Sequence, residues 1–381
     1  MTHSRGTVNL AIAPGVTVSI LETSGGMARG RVRDTGSGVW QDRPMNDGRP
    51  RPGSGKVAAA AADGVTLRQL AGHDDYHACF ELQLATWGRD FQEGVPPSVL
   101  KISQRVGGIA AGAFAADGRL LGFVYGLTGV RPTARPAPGR PELLHWSHML
   151  AVAPEARDLG LGRRLKLYQR ELLLPLGVEV VEWTYDPLEA RNAHLNLNRL
   201  GAEVVAYVED MYQGEMGSEL ARGIGTDRFI VAWRIAGEDV RRALSRPDAG
   251  ADPRQAAGPP ARFAAAPRFE PAPLRDEGGA APPGVPDDGG SAPPAVPNEG
   301  GSAPPAVPDA GGPPLPDAPR VGIEVPAQIQ HFKDRQPERA LAWRLGTRRA
   351  FEAYLARGYS VTAFWRDSSG RCWYGVEAPG R

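Results

Sequence analysis

The residues best suited to do chemistry form one short run, Arg157-Asp158-Leu159-Gly160-Leu161-Gly162. It lies between an apolar strand-like stretch (HMLAV) and a helix-like one (RRLKLY). The first amides of a helix have no intrahelical partner and carry the positive end of its dipole. Glycines there remove side chains, so an anion can approach, and a pyrophosphate is the natural guest. Arg163 and Arg164 follow directly and add charge at the rim. The plainer reading is a helix that begins with two glycines, since such turns are common. A Rossmann loop is rejected, because no second βαβ unit with a ribose-binding acid is evident. Gly53-Ser54-Gly55-Lys56 fails as a phosphate loop: Pro50 stands where the first glycine belongs, and Val57 where the Ser or Thr belongs.

Acid–base groups flank the run. In LLHWSHML, strand alternation puts His145 and Ser147 on one face and Trp146 and His148 on the other. A histidine titrates near neutrality and makes an economical base, although one in an apolar strand is more often a satisfied core or rim residue. Glu182 and Asp186 bracket the end of the next strand; Asp186, before Pro187, also suits a turn or helix cap. The polar, Gly-rich stretch from Tyr212 to Arg228 reads as a loop of the kind that carries specificity. Its Asp227-Arg228 is either a structural ion pair or an anchor for an acceptor carboxylate. Cys79 and Cys372 have no metal-site spacing, and no metal is expected.

The elements that must position these groups follow from periodicity. VTLRQL reads as a strand, 74–87 as a helix, and Pro96-Pro97 as the start of a second helix. Two apolar runs joined at Asp117-Gly118 form a hairpin. The strand LLHWSHMLAV precedes the glycine loop; the helix after it, with Leu161, Leu165, Tyr168 and Leu172 on one face, stops at Pro175 and Gly177. VEVVEWTYD is the next strand, 187–200 a helix closed by Gly201, and AEVVAYV and DRFIVAWRI are closing strands. The fold class is α/β, an α+β mixed sheet. A C-terminal piece adds the strand VGIEVP, a helix from Pro337 to Gly358, and a hairpin around Asp367-Gly370. It is too small for an independent core and is expected to dock on the main domain.

Gly (48) and Pro (36) account for more than a fifth of the 381 residues and concentrate in two places. Residues 1–63 lack periodicity and are expected to be a disordered tail. Residues 238–320 carry Gly-Gly pairs within copies of GGSAPPAVP; the prolines exclude a helix and leave a semi-stiff spacer. The expected division is therefore 1–63, 64–237, 238–320 and 321–381. A net charge of +1 points to neither nucleic acid nor an anionic membrane. Two isolated thiols, no apolar run long enough to span a bilayer and a poor N-terminal signal suggest a cytoplasmic protein.

Arg157-x-x-Gly160-x-Gly162 resembles the Arg/Gln-x-x-Gly-x-Gly/Ala loop of the GNAT acyl-coenzyme A N-acyltransferases. The flanking order is similar too: a strand before the loop, another after the helix, then Arg191-Asn192-Ala193 and Arg199-Leu200-Gly201-Ala202. Over 65–237 and 321–377 the chain looks like one bacterial GNAT branch. The resemblance implies a GNAT-like fold whose fourth and fifth strands splay to hold acetyl-CoA, or another acyl-CoA, as co-substrate. Leu150 to Val152 would position the thioester arm and Arg157, Asp158, Leu159, Gly160, Leu161 and Gly162 the pyrophosphate. Arg163 would stand at the rim and Asn192 would line the cofactor side. It implies N-acylation of a small amine or amino-acid-like acceptor, with His148, Glu182 and Tyr212 as candidate catalytic groups. One departure stands out: Leu197 occupies the place where many members carry a proton-donating Tyr, which Tyr185, Tyr207 or Tyr212 would have to replace. The alternative is a catalytically inactive coenzyme A-binding module that interacts through its Pro-rich linker. Oligomeric state is left open, a homodimer included.

Overall fold

The computed structural model describes residues 7–13, 16–21, 31–34, 64–131, 142–157, 159–213, 223–246, 258–266 and 314–380. The chain divides into two units, Met1–Arg51 and Pro52–Arg381. In the first, β1 (Thr7–Ala13), β2 (Val16–Leu21) and β3 (Arg31–Asp34) pair antiparallel in sequence order. Here the backbone departs from the aperiodic tail expected for 1–63. Val8, Leu10 and Ile12 alternate with small or polar residues, as do Val16, Val18 and Ile20, and this period-2 pattern suits strands.

The second unit is built on a seven-stranded mixed sheet of order β4-β5-β6-β7-β8-β10-β9. Its strands are β4 (Thr66–Gln69), β5 (Ile109–Phe114), β6 (Leu120–Val130), β7 (Leu143–Val152), β8 (Val180–Tyr185), β9 (Glu203–Val208) and β10 (Arg228–Arg234). Every neighbouring pair is antiparallel except β7–β8. One face is covered by α1 (Gly72–Trp87) and α2 (Pro97–Arg105), which bury Cys79, Leu82 and Leu100 against Phe123, Tyr125, Met149 and Ala151. The buried amide of Gln83 accepts from Val95 N (2.7 Å) and donates to Val95 O (3.2 Å), tying the α1–α2 loop down as a strand neighbour would.

The opposite face carries α3 (Leu161–Leu173), whose Leu161, Leu165 and Tyr168 pack on Val124, Val181 and Trp183. The helix expected over 187–200 is instead a short α-helical turn, α4 (Ala190–Ala193), continued by a π-helical turn, His194–Arg199. The wider turn buries Asn196 and Asn198, and Asn198 Nδ2 donates to Phe364 O at 3.0 Å. Gly201 ends it with φ of +71°, where glycine is favoured.

Within the stretch 238–320, read from sequence as spacer, two ordered pieces occur. The helix α5 (Glu238–Leu244) packs Val240 and Ala243 inward, and β11 (Ala264–Ala265) pairs parallel with β12 (Arg320–Val325). The amphipathic spacing of Val240 and Ala243 was too short to register as a helix. β12 continues into α6 (Ile329–Arg335), α7 (Pro337–Ala356), β13 (Ser360–Arg366) and β14 (Cys372–Glu377), giving a second sheet of order β11-β12-β14-β13.

This C-terminal layer shares the α3-side core. Phe351 and Tyr374 pack edge-on to Phe229, and Tyr374 Oη donates to Pro187 O at 2.9 Å. Fully buried Arg344 of α7 donates to Asp186 (2.6 Å), and Arg348 holds Asp227 through Nε (2.9 Å) and Nη2 (2.6 Å). A buried carboxylate must be paired and hydrogen-bonded. Asp227 therefore takes its partners from α7 rather than from neighbouring Arg228, and Asp186 also caps Leu188 N at 2.8 Å.

Candidate active site

The site forms where β7 and β8 part. Their parallel register covers only Leu144↔Val180, His145↔Val181 and Trp146↔Glu182. Beyond it β7 stays paired with β6 as far as Val152, and β8 stays paired with β10 as far as Tyr185. Each strand is held by its outer neighbour while the two diverge. This leaves the β8-facing backbone edge of 147–152 open to an extended, amide-bearing chain.

A bulge drives the divergence. Between Tyr125↔Met149 and Leu127↔Trp146, β6 has one residue, Gly126, where β7 has two, Ser147 and His148. A Cβ on Gly126 would lie 2.3 Å from His145 Nε2, so only glycine fits there. The bulge also inverts the alternation. His145 and Ser147 point to the α3 side, where they bond Gln169; Met149 and Ala151 join the α1–α2 core; Leu150 and Val152 pack on the α3-side core.

At the open end of the fork, β7 passes through a 3₁₀ turn (Pro154–Ala156) into the glycine run. Gly160 is the N-cap of α3 with φ of +69°, and among the described residues no side chain caps the helix. The first intrahelical bond runs from Arg164 N to Gly160 O, so the amides of Leu161, Gly162 and Arg163 lie in the uncapped turn. Among the described residues, nothing lies within 4 Å of a Cβ built on Gly160. A Cβ on Gly162 would meet Leu150 Cδ2 at 3.7 Å and Leu195 Cδ2 at 3.8 Å. Leu150 of β7, the start of α3 and the π-turn thus converge around one slot. Open amides at a glycine helix start fit a phosphate, and the free strand edge fits an extended amide arm.

Of the candidate cofactor residues, Leu150 and Gly162 meet at this point. Arg157, Leu159 and Gly160 are exposed, Leu161 is buried in the core, and Asn192 is exposed one turn before Leu195. Arg163 Nη2 donates to Leu244 O (3.3 Å) and Arg164 Nη2 to Val65 O (3.3 Å), which sets both guanidinium groups against neighbouring elements. Asp158 lies outside the described residues.

The three candidate catalytic groups belong to the other side of the fork. His148 meets the Tyr125 ring edge-on at 6.0 Å; burial lowers its pKa, against a raising influence from Glu93. Glu182 alternates with core-facing Trp183 and accepts from Arg131 Nη2 at 2.8 Å. Tyr212 Oη lies 3.2 Å from Thr184 Oγ1, and the Arg228 guanidinium sits 5.3 Å from the Tyr212 ring centre. The turn carrying Tyr212 holds Asp210 and Gln213 at positive φ (37° and 48°), and Asp210 is fixed by Thr226 Oγ1 at 2.6 Å. Glu182, Thr184 and Tyr212 are thereby brought together. Of the other tyrosines, Tyr185 is buried with its hydroxyl 3.3 Å from that of Tyr374, and Tyr207 donates to Asp227; burial raises both pKa values. Leu197 packs against the core.

On the α3 side lies a polar chain that sequence reasoning missed. Gln169 Nε2 bonds His145 Nε2 (3.0 Å), Ser147 Oγ donates to Gln169 Oε1 (3.0 Å), and Lys166 Nζ donates to Ser147 Oγ (2.7 Å). His145 Nδ1 lies 2.8 Å from Thr128 Oγ1, which donates to Gly107 O at 2.7 Å. Burial lowers the His145 pKa to about 3, with a smaller contribution from Lys166 when that residue carries its proton, so the ring is neutral. The available signal was i, i+3 spacing: Lys166 and Gln169 share a helical face with apolar Leu165 and Leu173, where polar residues are unusual.

Among the described residues, no helix is long and apolar enough to cross a membrane. No protein-family model matches the chain, and no curated protein matches it. Solved structures do. A putative acetyltransferase from Salmonella typhimurium with its cofactor acetyl-CoA (yncA) is 19% identical over 49% of this chain and 99% of its own, with a TM-score of 0.35. Naa20 of Chaetomium thermophilum, in complex with a bisubstrate analogue, is 21% identical over 48% and 93%, TM-score 0.35. The ribosomal-protein-S18-alanine N-acetyltransferase of Escherichia coli is 18% identical over 46% and 97%, TM-score 0.32.

Proposed function

We propose that the chain is an acyl-coenzyme A-dependent N-acyltransferase of the GNAT type, using acetyl-CoA and a small amine or amino-acid-like acceptor. The observation that carries this reading is the fork. Two parallel strands part after three residue pairs, and an uncapped, glycine-started helix opens at the end of one of them. When bound, the co-substrate supplies an activated acyl thioester. The α3 amides hold its pyrophosphate, and the open edge of β7 aligns its amide arm. The backbone at the bulge lies beside the place where the carbonyl would come to rest, and there it stabilises developing negative charge.

The acceptor enters from the face that carries His148, Glu182 and Tyr212. Burial favours the neutral form of the His148 imidazole, whose ring nitrogen can take the proton that an incoming ammonium must lose before attack. Glu182, oriented by Arg131, and the Thr184–Tyr212 pair provide polar contacts for that amine. Leu197, together with the engagement of Tyr185 and Tyr207, favours a second reading: a module that binds coenzyme A without turnover. Incubation with acetyl-CoA and a pooled amine library separates the two. Thiol release with a mass-shifted amine supports the enzyme; saturable coenzyme A binding without turnover supports the module; absence of coenzyme A binding overturns both.

A further inference from the structure

Lys166 reaches the apex of the fork from below. The last paired residues of the two strands are Trp146 and Glu182, so Ser147 and Trp183 are the first residues past the point of divergence. Lys166 Nζ touches both, 2.7 Å from Ser147 Oγ and 3.7 Å from the centre of the Trp183 ring. The residue is 3% exposed. Among the described residues no carboxylate pairs with it, although a buried ammonium without a counter-ion is costly.

The hydrogen-bond directions define what Nζ offers. Ser147 gives its proton to Gln169 Oε1, Gln169 gives one to His145 Nε2, and His145 gives its Nδ1 proton to Thr128. The chain is neutral throughout and leaves Ser147 Oγ able only to accept from Lys166. One N–H of Lys166 is thus used by Ser147 and another faces the Trp183 ring. The lone pair of the amine is left without a hydrogen bond in these contacts.

Resting on the proposed acyl transfer, we infer that Lys166 is a catalytic residue, the proton shuttle between acceptor nitrogen and departing sulfur. It takes the place of the helix tyrosine that Leu197 replaces. As the C–N bond forms and the C–S bond breaks with its electron pair on sulfur, the nitrogen loses one proton and the sulfur gains one. Lys166 Nζ, an amine at rest, receives the first proton and returns it to sulfur, so no other co-reactant is needed. Burial holds its pKa well below the usual lysine value, which favours that resting form. The titratable group facing it is His145 on β7; β5, β6 and β8 present apolar residues to α3, Trp183 among them. Once protonated, Lys166 is the counter-ion of the departing sulfur and the source of its proton.

The test has a kinetic arm on the unaltered protein. Single-turnover acyl transfer from acetyl-CoA is compared in H2O and D2O, and its rate is followed against pH. The expected result is transfer about twofold or more slower in D2O, with a rate that falls on acidification by one proton more than that of Lys166→Met. The same variant should keep its coenzyme A Kd within about threefold while single-turnover acyl transfer falls about 100-fold or more, the usual effect of losing an acid–base group. Equal rates in H2O and D2O overturn the inference and leave the acyltransferase reading standing, as does a Lys166→Met rate equal to that of the parent. If Lys166→Met does not fold, the wild-type isotope effect alone decides. No coenzyme A binding overturns the acyltransferase reading, and this inference with it.

Discussion

Gly160 offers the sharpest perturbation of the anion site. Its φ of +69° lies in the left-handed region, which Asn and Asp tolerate better than other side chains, and a Cβ there meets nothing within 4 Å among the described residues. Gly160→Asn and Gly160→Asp are nearly isosteric, carry similar backbone strain and differ by one charge. A carboxylate about 5 Å from a phosphate repels it by about 1–3 kcal/mol at effective dielectrics of ~80 down to ~20. That corresponds to a coenzyme A Kd about 5- to 150-fold weaker for Gly160→Asp than for Gly160→Asn. Calorimetric titration gives the ratio directly. It should shrink as salt rises from low to physiological, because exposed charges are screened. Pantetheine, which lacks the pyrophosphate, should bind both variants alike. Equal coenzyme A affinities for the two at low salt would refute the placement of the pyrophosphate on α3.

Three further outcomes follow from the buried polar groups and the C-terminal layer. The folded pKa of His145 (about 3) lies below its unfolded value (6.5), so the unfolded chain binds the extra proton; its stabilising contribution should be complete above pH 6.5 and decline as pH falls toward 3, at up to about 1.4 kcal/mol per pH unit, a slope that denaturant melts of His145→Gln should lack. Burial raises the Asp227 pKa, but Arg348, Arg344 and Tyr207 outweigh it and the net shift is downward; its contribution is present above the ordinary carboxyl range and lost on acidification below it, and Asp227→Ala should cost about 3–5 kcal/mol by leaving buried Arg344 and half-buried Arg348 under-paired, read from urea midpoints. Deleting 267–313 should leave the unfolding midpoint and acyl transfer unchanged. Extending the deletion to 246–318 should lower the midpoint, because it removes β11 and the carbonyls of Pro316 and Ala318 that Tyr354 and Tyr359 bond.

Sequence carried the local features and lost the non-local ones. The glycine run was legible because its chemistry depends on consecutive amides at one helix start. The strands of the main sheet were legible because LLHWSHMLAV, VEVVEWTYD and DRFIVAWRI each show an apolar run bounded by turn residues. The fork itself was not, because divergence depends on where pairing between β7 and β8 stops. The bulge at Ser147-His148 was equally hidden, and with it the exchange of faces after Ser147. Alternation placed His145 and Ser147 together correctly, but could not show that Lys166 and Gln169, about twenty residues on, complete their hydrogen bonds. Asp227 was read with its neighbour Arg228, whereas its counter-charges come from α7, over a hundred residues later. Propensity favoured an unbroken helix over 187–200; the tertiary bond from Asn198 to Phe364 O accompanies a π-turn instead.

The central claim is that the parted strands and the start of α3 form one coenzyme A site. A calorimetric titration of the full chain with coenzyme A tests it most directly, with pantetheine and inorganic pyrophosphate as separate competitors. Saturable binding at one site per chain, weakened by each competitor, is the result expected if the fork takes the arm and α3 takes the phosphates. No saturable binding, or binding that neither competitor affects, would contradict it.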